Sequence, residues 1–370
     1  MRIALIITEL HPGGAETCFV NLAIYLRDQG HEVAVWELWP PPPADKRRLT
    51  NRLDQEGIVW KSGGAVRPWH FVTAARWLRK ELHNFAPDVV QAFLFHGNLA
   101  AAFASRNRPW RLFGGARVRQ PERFRQRLQK IASWRMEKLI CVSHGVLDHC
   151  RQVEHIADHK LAVIPNGIAL PVPVPPATEL DTELNKLGIS PATRLLLFVG
   201  RLTEQKGIEA LMLQADALLE SLPRHELVIV GDGRLQSRLE QIRSQAGSGR
   251  RIHLPGWSSI PLAWIQRCEQ LLLPAEYEGM PNVVLEAMAC GKPVVAFDVE
   301  GVRELLGTGP VADNQAIPPG NFAQFSAAIE RLAHDPTLRN TCSQHNFDRV
   351  ANNFLLEKQL ARYQALYTSS

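Results

Sequence analysis

Short apolar runs alternate with amphipathic stretches along this chain, and the pattern breaks once and then restarts. IALIIT (3–8) leads into a Gly-rich loop and a helical stretch near 14–29. HEVAVWEL (31–38), DVVQAF (88–93), KLICVS (138–143) and KLAVIP (160–165) follow. Strands separated by helical crossovers build a parallel sheet covered by helices on both faces. The Pro-rich ALPVPVPPAT (169–178) stiffens the backbone and offers few donors to a sheet, so it reads as an interdomain linker. The alternation resumes with RLLLFVG (194–200), HELVIVGDG (225–233), RIHLPG (251–256), QLLLPA (270–275) and KPVVAFD (292–298). The expected fold class is α/β, with Rossmann-like domains over 1–168 and 179–349 joined by 169–178. A chain of 370 residues is long enough for two cores of ordinary size.

Composition narrows the partners. With 45% hydrophobic and 21% charged residues, the chain reads as an ordinary soluble globular protein. No stretch reaches the roughly 18 apolar residues that span a bilayer; AFLFHGNLAAAFA (92–104) is broken by His96, Gly97 and Asn98. MRIALIIT runs straight into a Gly-rich loop and reads as a buried first strand rather than a signal peptide. None of the six cysteines forms a C-x-x-C pair or stands at zinc-ligand spacing, which fits free thiols in a reducing, cytoplasmic setting. Residues 1–165 carry 24 Lys and Arg against 15 Asp and Glu, a balance of +9, whereas the remainder is at −4. Such asymmetry suggests different partners for the two halves.

Four segments carry candidate chemistry. In FVGRLTEQKGIE (198–209), Arg201 and Lys206 follow a buried strand end. Ligands of open α/β sheets sit there, and a guanidinium fork with an ammonium can clamp a diphosphate. An isolated pair of this spacing is ordinarily two solvated cations; the strand–turn–helix context favours the clamp. In YEGMPNVVLEAMACGKPVVAFDVEG (277–301), Glu278 and Glu286 flank a loop-to-helix junction. Backbone N–H groups around Met280 to Val284 would face an anion, and Glu286, about two turns in, would accept from sugar hydroxyls. ELHPGGAET (9–17) places Gly13 and Gly14 where backbone can approach a ligand closely, or where a turn simply needs them. VGDGRLQSRLE (230–240) puts Gly231 in a turn that suits a nucleotide or is a plain β-to-α turn, and LPGW (254–257) could meet a base edge. There is no G-x-G-x-x-G, so a dehydrogenase gains little support.

His96 closes the strand-like run at 88–95 and is read either as a cleft residue or as a core histidine. No H-E-x-x-H or matching D-x-D occurs, so no metal and no cofactor is expected. From Arg117 to Lys138 the chain is strongly basic, with Phe124, Leu128, Ile131 and Trp134 at helical spacing. Two readings stay open: a helix lying on an anionic membrane surface, or one packed by its apolar face with its cations in water. No nucleic-acid recognition motif accompanies the charge.

Together GGAE (13–16), VIPNGI (163–168), VGRLTEQKGI (199–208) and EGMPNVVLEAMACGKPVVA (278–296) resemble glycosyltransferase family 4, and the resemblance spans most of the chain. It implies the GT-B architecture, two facing Rossmann domains with a donor in the interdomain cleft, and a last helix, about 350–370, crossing back to the first domain. It implies a nucleotide diphosphate-sugar donor, UDP- or GDP-linked, with Arg201 and Lys206 on the diphosphate and Glu286 on the ribose. Glu278 would lie near the donor sugar, and Gly279, Met280, Pro281, Asn282 and Val283 would form the loop and helix start that contact it. Gly14 would approach the phosphates and acceptor, and His96 resembles a cleft-lining histidine. The implied reaction is metal-independent transfer with retention of configuration to a polysaccharide, glycolipid or lipid-linked acceptor, by a cytoplasmic enzyme peripheral to the membrane. A non-catalytic sugar-nucleotide-binding subunit and a sugar-nucleotide epimerase are the competing readings.

Overall fold

The apolar runs form strands buried on both faces: Ile3, Ala4, Leu5, Ile6 and Ile7 are all fully inaccessible. That is the pattern of a central parallel strand, which cannot face water on either side. In this computed structural model, residues 1–65, 70–173 and 177–369 are described. The chain divides into two units, Met1–Gly167 with Glu357–Ser370, and Ile168–Leu356.

Unit 1 begins with β1 (Arg2–Ile7), α1 (Gly14–Asp28), β2 (Glu32–Glu37), α2 (Arg48–Gln55), β3 (Val59–Ser62) and α3 (Phe71–Phe85). It continues with β4 (Val89–Ala92), α4 (Phe95–Ala104), β5 (Arg111–Ala116), α5 (Arg123–Ser133), β6 (Lys138–Cys141), α6 (His144–Gln152) and β7 (Leu161–Val163). The strands form one sheet in the order β3-β2-β1-β4-β5-β6-β7. Unit 2 holds α7 (Ala177–Leu187), β8 (Arg194–Val199), α8 (Ile208–Ser221), β9 (His225–Val230), α9 (Gln236–Gln245), β10 (Ile252–Gly256), α10 (Pro261–Arg267) and β11 (Gln270–Leu273). Then come α11 (Asn282–Ala289), β12 (Val294–Phe297), α12 (Val302–Leu306), α13 (Pro310–Asp313), β13 (Ala316–Ile317), α14 (Phe322–His334) and α15 (Pro336–Asn353). Its sheet runs β10-β9-β8-β11-β12-β13. The registers are parallel throughout, with Ile3 opposite Val33 and Val89, and Leu196 opposite Leu227 and Gln270.

The last helix, α16 (Leu356–Thr368), returns to unit 1. Tyr363 and Tyr367 are each 1% exposed and pack on Phe93 and Phe113. The Tyr367 hydroxyl donates to Gln91 Oε1 at 2.9 Å, which satisfies a buried amide on β4. Arg111 on β5 donates to the Tyr367 carbonyl at 2.8 Å, holding the open C-terminal end of the helix with a cation. Residues 350–356, expected to cross back with this helix, instead complete unit 2; α15 runs through Asn353 with Val350 buried. The first crossing comes at Gly167, just ahead of the expected linker, of which 174–176 lie outside the described residues. The two crossings run side by side: Ile168 N donates to the Phe354 carbonyl at 2.8 Å and Leu356 N to the Ile168 carbonyl at 3.0 Å.

Unit 1 also buries an acid. Glu37, at the end of β2, is inaccessible, and its Oε2 accepts from Leu10 N at 3.0 Å in the loop after β1. Its Oε1 is buried with no hydrogen-bond partner among the described residues. Burial, with a smaller push from Glu9, raises its pKa to about 7. The unfolded chain therefore ionises first, near pH 4.5, and stability falls as pH rises from there to about 7.

Two outcomes follow. Tyr367→Ala opens a cavity under β4 and β5 and should cost unit 1 about 3–5 kcal/mol in urea denaturation; a loss under ~1 kcal/mol would show that α16 merely rests on the sheet. Glu37→Gln keeps the acceptor for Leu10 and removes the titration, so it should gain on the wild type by on the order of 2–3 kcal/mol between pH 5 and pH 8. A difference that does not change with pH contradicts the buried acid.

Candidate functional site

In unit 2 the chain lays β9 and β10 on one side of β8, and β11 to β13 on the other. The loops after β8 and β11 therefore diverge at the carboxyl edge and leave a crevice at this topological switch point. Arg201 lies two residues past β8 and is exposed; among the described residues no ion pair engages its guanidinium. Lys206 and Glu278 form an ion pair, with side chains 16% and 9% exposed. The sequence reading gave those two separate roles, and the fold joins them across 72 positions. Backbone stitches hold the two loops together. Gln205 Nε2 donates to the Tyr277 carbonyl at 3.0 Å, and Glu276 N donates to the Gln205 carbonyl at 2.9 Å. Gly207 sits between them at φ +63°, where an added Cβ would collide with the Pro274 carbonyl oxygen, so only glycine lets the loops meet.

Gly279, Met280 and Pro281 carry the chain from Glu278 into α11 and are buried. Asn282 and Val283 open the helix, and no side chain caps it. The positive end of its dipole thus points out of the same crevice as Arg201. Glu286 is half-buried one turn into α11 rather than two, because the helix starts only at Asn282. Gly231 follows β9 and donates to the Gly256 carbonyl at 2.8 Å; the next carbonyl, Asp232, accepts from Leu202 N at 2.8 Å. That turn is therefore bonded directly to the loop bearing Arg201. Sequence reasoning missed Gly301, at φ +77°, whose added Cβ would strike the Gly279 carbonyl oxygen. A glycine at the end of VAFDVEG was the available signal. A cavity of about 560 Å³, lined by Val172, Gln266, Cys290, Lys292 and Phe347 among others, lies at the far end of α11 and contains none of these residues.

Gly14 and His96 belong to unit 1, whose own switch point lies between β1 and β4. The loops after those strands carry the two residues, and Gly97 N donates to Thr8 Oγ1 at 3.3 Å between them. Gly14 is exposed as the first residue of α1. Glu16, also missed, is buried with its carboxylate where a Cβ on Gly13 would stand, so this helix start already has an acid of its own. His96 is half-buried at the start of α4. Burial chiefly, and Arg125 secondarily, lower its pKa, so the imidazole is neutral at pH 7. Its ring lies 5.5 Å from that of Trp39 and 5.2 Å from that of Phe95. Leu94, just before, has φ +67° and ψ 162°, a region that glycine normally occupies and that costs about 1–3 kcal/mol.

The basic segment 117–138 is not one helix. Arg117 is buried after β5, and Lys138 starts β6 and donates to the His159 carbonyl at 2.6 Å. Only 123–133 is helical, and its inward residues are Gln129, Ala132 and Ser133. Phe124, Ile131 and, just beyond the helix, Trp134 are 70%, 51% and 68% exposed, so the reading with a packed apolar face is overturned for them. Among the described residues no helix is long and apolar enough to cross a membrane.

Comparison with known proteins agrees with this fold. The family model for Glycosyltransferase Family 4 matches residues 12–170, and that for Glycosyl transferases group 1 matches 181–349. The chain is 27% identical over 233 residues to the UDP-Gal:alpha-D-GlcNAc-diphosphoundecaprenol alpha-1,3-galactosyltransferase of Escherichia coli, covering 62% of this chain and 59% of that enzyme. It is 24% identical to the lipopolysaccharide core biosynthesis glycosyltransferase LpsD of Rhizobium meliloti over 92% of this chain and 91% of the relative. The crystal structure of Anabaena HepE in complex with UDP and glucose superposes with a TM-score of 0.85 over the whole of both chains, at 20% identity. Two parallel sheets, each with ligand-competent loops at its switch point, and two family models that together take in nearly all of the sequence lead to one assignment: the chain belongs to the group 1, family 4 glycosyltransferases of GT-B architecture.

Proposed function

We propose that this chain is a retaining, metal-independent glycosyltransferase that moves a sugar from a nucleotide diphosphate-sugar to a lipid-linked or polysaccharide acceptor in cell-surface glycan synthesis. The observation that carries the reading is the convergence of exposed Arg201, the Lys206–Glu278 pair and the uncapped start of α11 at one switch point. Breaking the anomeric C–O bond leaves its electron pair on the diphosphate and positive charge on the sugar ring. Arg201, Lys206 and the α11 dipole oppose the first charge, work that a divalent metal would otherwise do. Glu278 holds Lys206 in place and, on this reading, steadies the second. The acceptor hydroxyl attacks the face the diphosphate leaves and passes its proton to a departing phosphate oxygen, so configuration is retained without a covalent enzyme intermediate. Glu286, one turn into α11, takes the ribose hydroxyls, and the turn at Gly231 borders the nucleotide. The relative that uses UDP-Gal and the neighbour bound to UDP favour a UDP-sugar.

The same reading places the enzyme on the cytoplasmic, anionic face of a membrane. Phe124, Ile131 and Trp134 enter the headgroup region, while Arg123, Arg127, Lys130 and Arg135 meet its charge.

Arg201→Ala and Lys206→Ala should each lower turnover by about 10²–10³-fold, as loss of one preorganised donor does elsewhere, with no loss in saturating EDTA and with the donor's anomeric configuration kept in the product by NMR. Near-normal activity of both variants, or inactivation by the chelator, contradicts the clamp. In flotation assays the protein should bind phosphatidylglycerol-containing vesicles at low salt and release at high salt; no binding at low salt excludes the membrane surface.

A further inference from the structure

Unit 2 carries a buried hydrogen-bond clasp that the diphosphate site does not use. Leu180 and Leu184 of α7 are buried, and the helix packs on β10 and α10. Glu183 shares that face, one turn on from Leu180. Its Oε2 accepts from Trp264 Nε1, in α10, at 2.8 Å and from Ser258 Oγ at 3.2 Å. Ser258 Oγ in turn accepts from Ile260 N at 3.3 Å. Trp264 is wholly inaccessible and Ser258 is buried, so water is a poor substitute for the carboxylate. The turn over 256–260 needs such a tie. β10 slips its register against β9 between His253 and Gly256, and Gly256 stands at φ +83°, so the ladder no longer holds the chain beyond it.

The other end of that turn reaches toward the donor site. The sheet order β10-β9-β8 sets it two strands from the Arg201 loop, about 10 Å at the usual strand spacing. Two backbone bonds bridge the interval: the Gly256 carbonyl accepts from Gly231 N at 2.8 Å, and the Asp232 carbonyl accepts from Leu202 N at 2.8 Å. A nucleotide whose diphosphate meets Arg201 and whose nucleoside runs along this edge brings its base to the turn. A turn left loose would have to be ordered by the ligand at a cost in affinity, and one already tied down would not. We propose that Glu183 is a positioning residue for nucleotide binding: through Ser258 and Trp264 it holds the turn over 256–260 in the form that receives the nucleoside end of the donor. Glu183 itself touches no substrate. The inference rests on the donor reading and adds a residue outside every motif string, on the helix that directly follows the Pro-rich segment.

The test is calorimetric titration of the full chain with UDP, GDP and ADP, with the monophosphate of whichever binds tightest, and with inorganic pyrophosphate. Ser258→Ala cuts the tie to the turn and leaves the bond between Trp264 and Glu183, so the fold is kept; Glu183→Leu removes the whole clasp. Each should weaken the diphosphate and monophosphate nucleotides about tenfold, as loss of one hydrogen bond to a charged group does, and leave pyrophosphate within about twofold of the wild type. Glu183→Gln can accept from Trp264 and donate to Ser258, and should recover most of the loss. Arg201→Ala should instead weaken pyrophosphate and the nucleoside diphosphate together. Nucleotide binding by Ser258→Ala at the wild-type level, or a parallel loss of pyrophosphate in the Ser258 and Glu183 variants, overturns the positioning role. A wild type that binds neither a nucleoside diphosphate nor pyrophosphate sinks the donor reading itself.

Discussion

A parallel sheet whose strand order reverses has one place where neighbouring loops must part, and both sheets of this protein carry their candidate functional residues there. In unit 2 the parting is between β8 and β11, and in unit 1 between β1 and β4. Everything else serves those two edges. Buried strands such as Ile3–Ile7 and Leu195–Phe198 set the edge rigidly, and helices cover the faces. Close backbone contacts, such as Gly207 on Pro274, bring loops from distant sequence within reach of one phosphate-sized ligand.

The charge balance at the unit 2 edge is uneven in a useful way. Lys206 is neutralised by Glu278, whereas Arg201 stands exposed. An incoming diphosphate would therefore find one guanidinium already presented and one ammonium held in position, which limits the reorganisation needed on binding. Unit 1 differs. Its helix start at Gly14 is backed by the chain's own Glu16, and its histidine is neutral and flanked by aromatic rings. One edge presents cations, and the other presents aromatic rings and an imidazole.

Much of this was legible in sequence because it is local. The strands over 3–8, 31–38, 194–200 and 270–275 showed as apolar runs, and Arg201, Lys206 and the E-x7-E segment were conspicuous beside them. What escaped notice was non-local or disguised. β5, RLFGGA, carries two glycines that hide a strand; β3, VWKS, is short and half polar; β13 has two residues. No periodicity links Lys206 to Glu278, or Trp39 to His96, since sheet order alone brings them together. The basic stretch was visible, but its inversion was not: α5 buries Gln129 and Ser133 and turns Phe124 and Ile131 outward, against the usual rule for an amphipathic helix.

The central claim is that unit 2 neutralises a pyrophosphate with Arg201, Lys206 and the start of α11. A crystal structure of the protein with bound UDP tests it most directly. The account requires both phosphorus atoms to lie within salt-bridge reach of the two cations, with a phosphate oxygen on the backbone of Asn282 or Val283. Density for the diphosphate elsewhere, for example over the Gly231 turn with Arg201 still facing solvent, would contradict it.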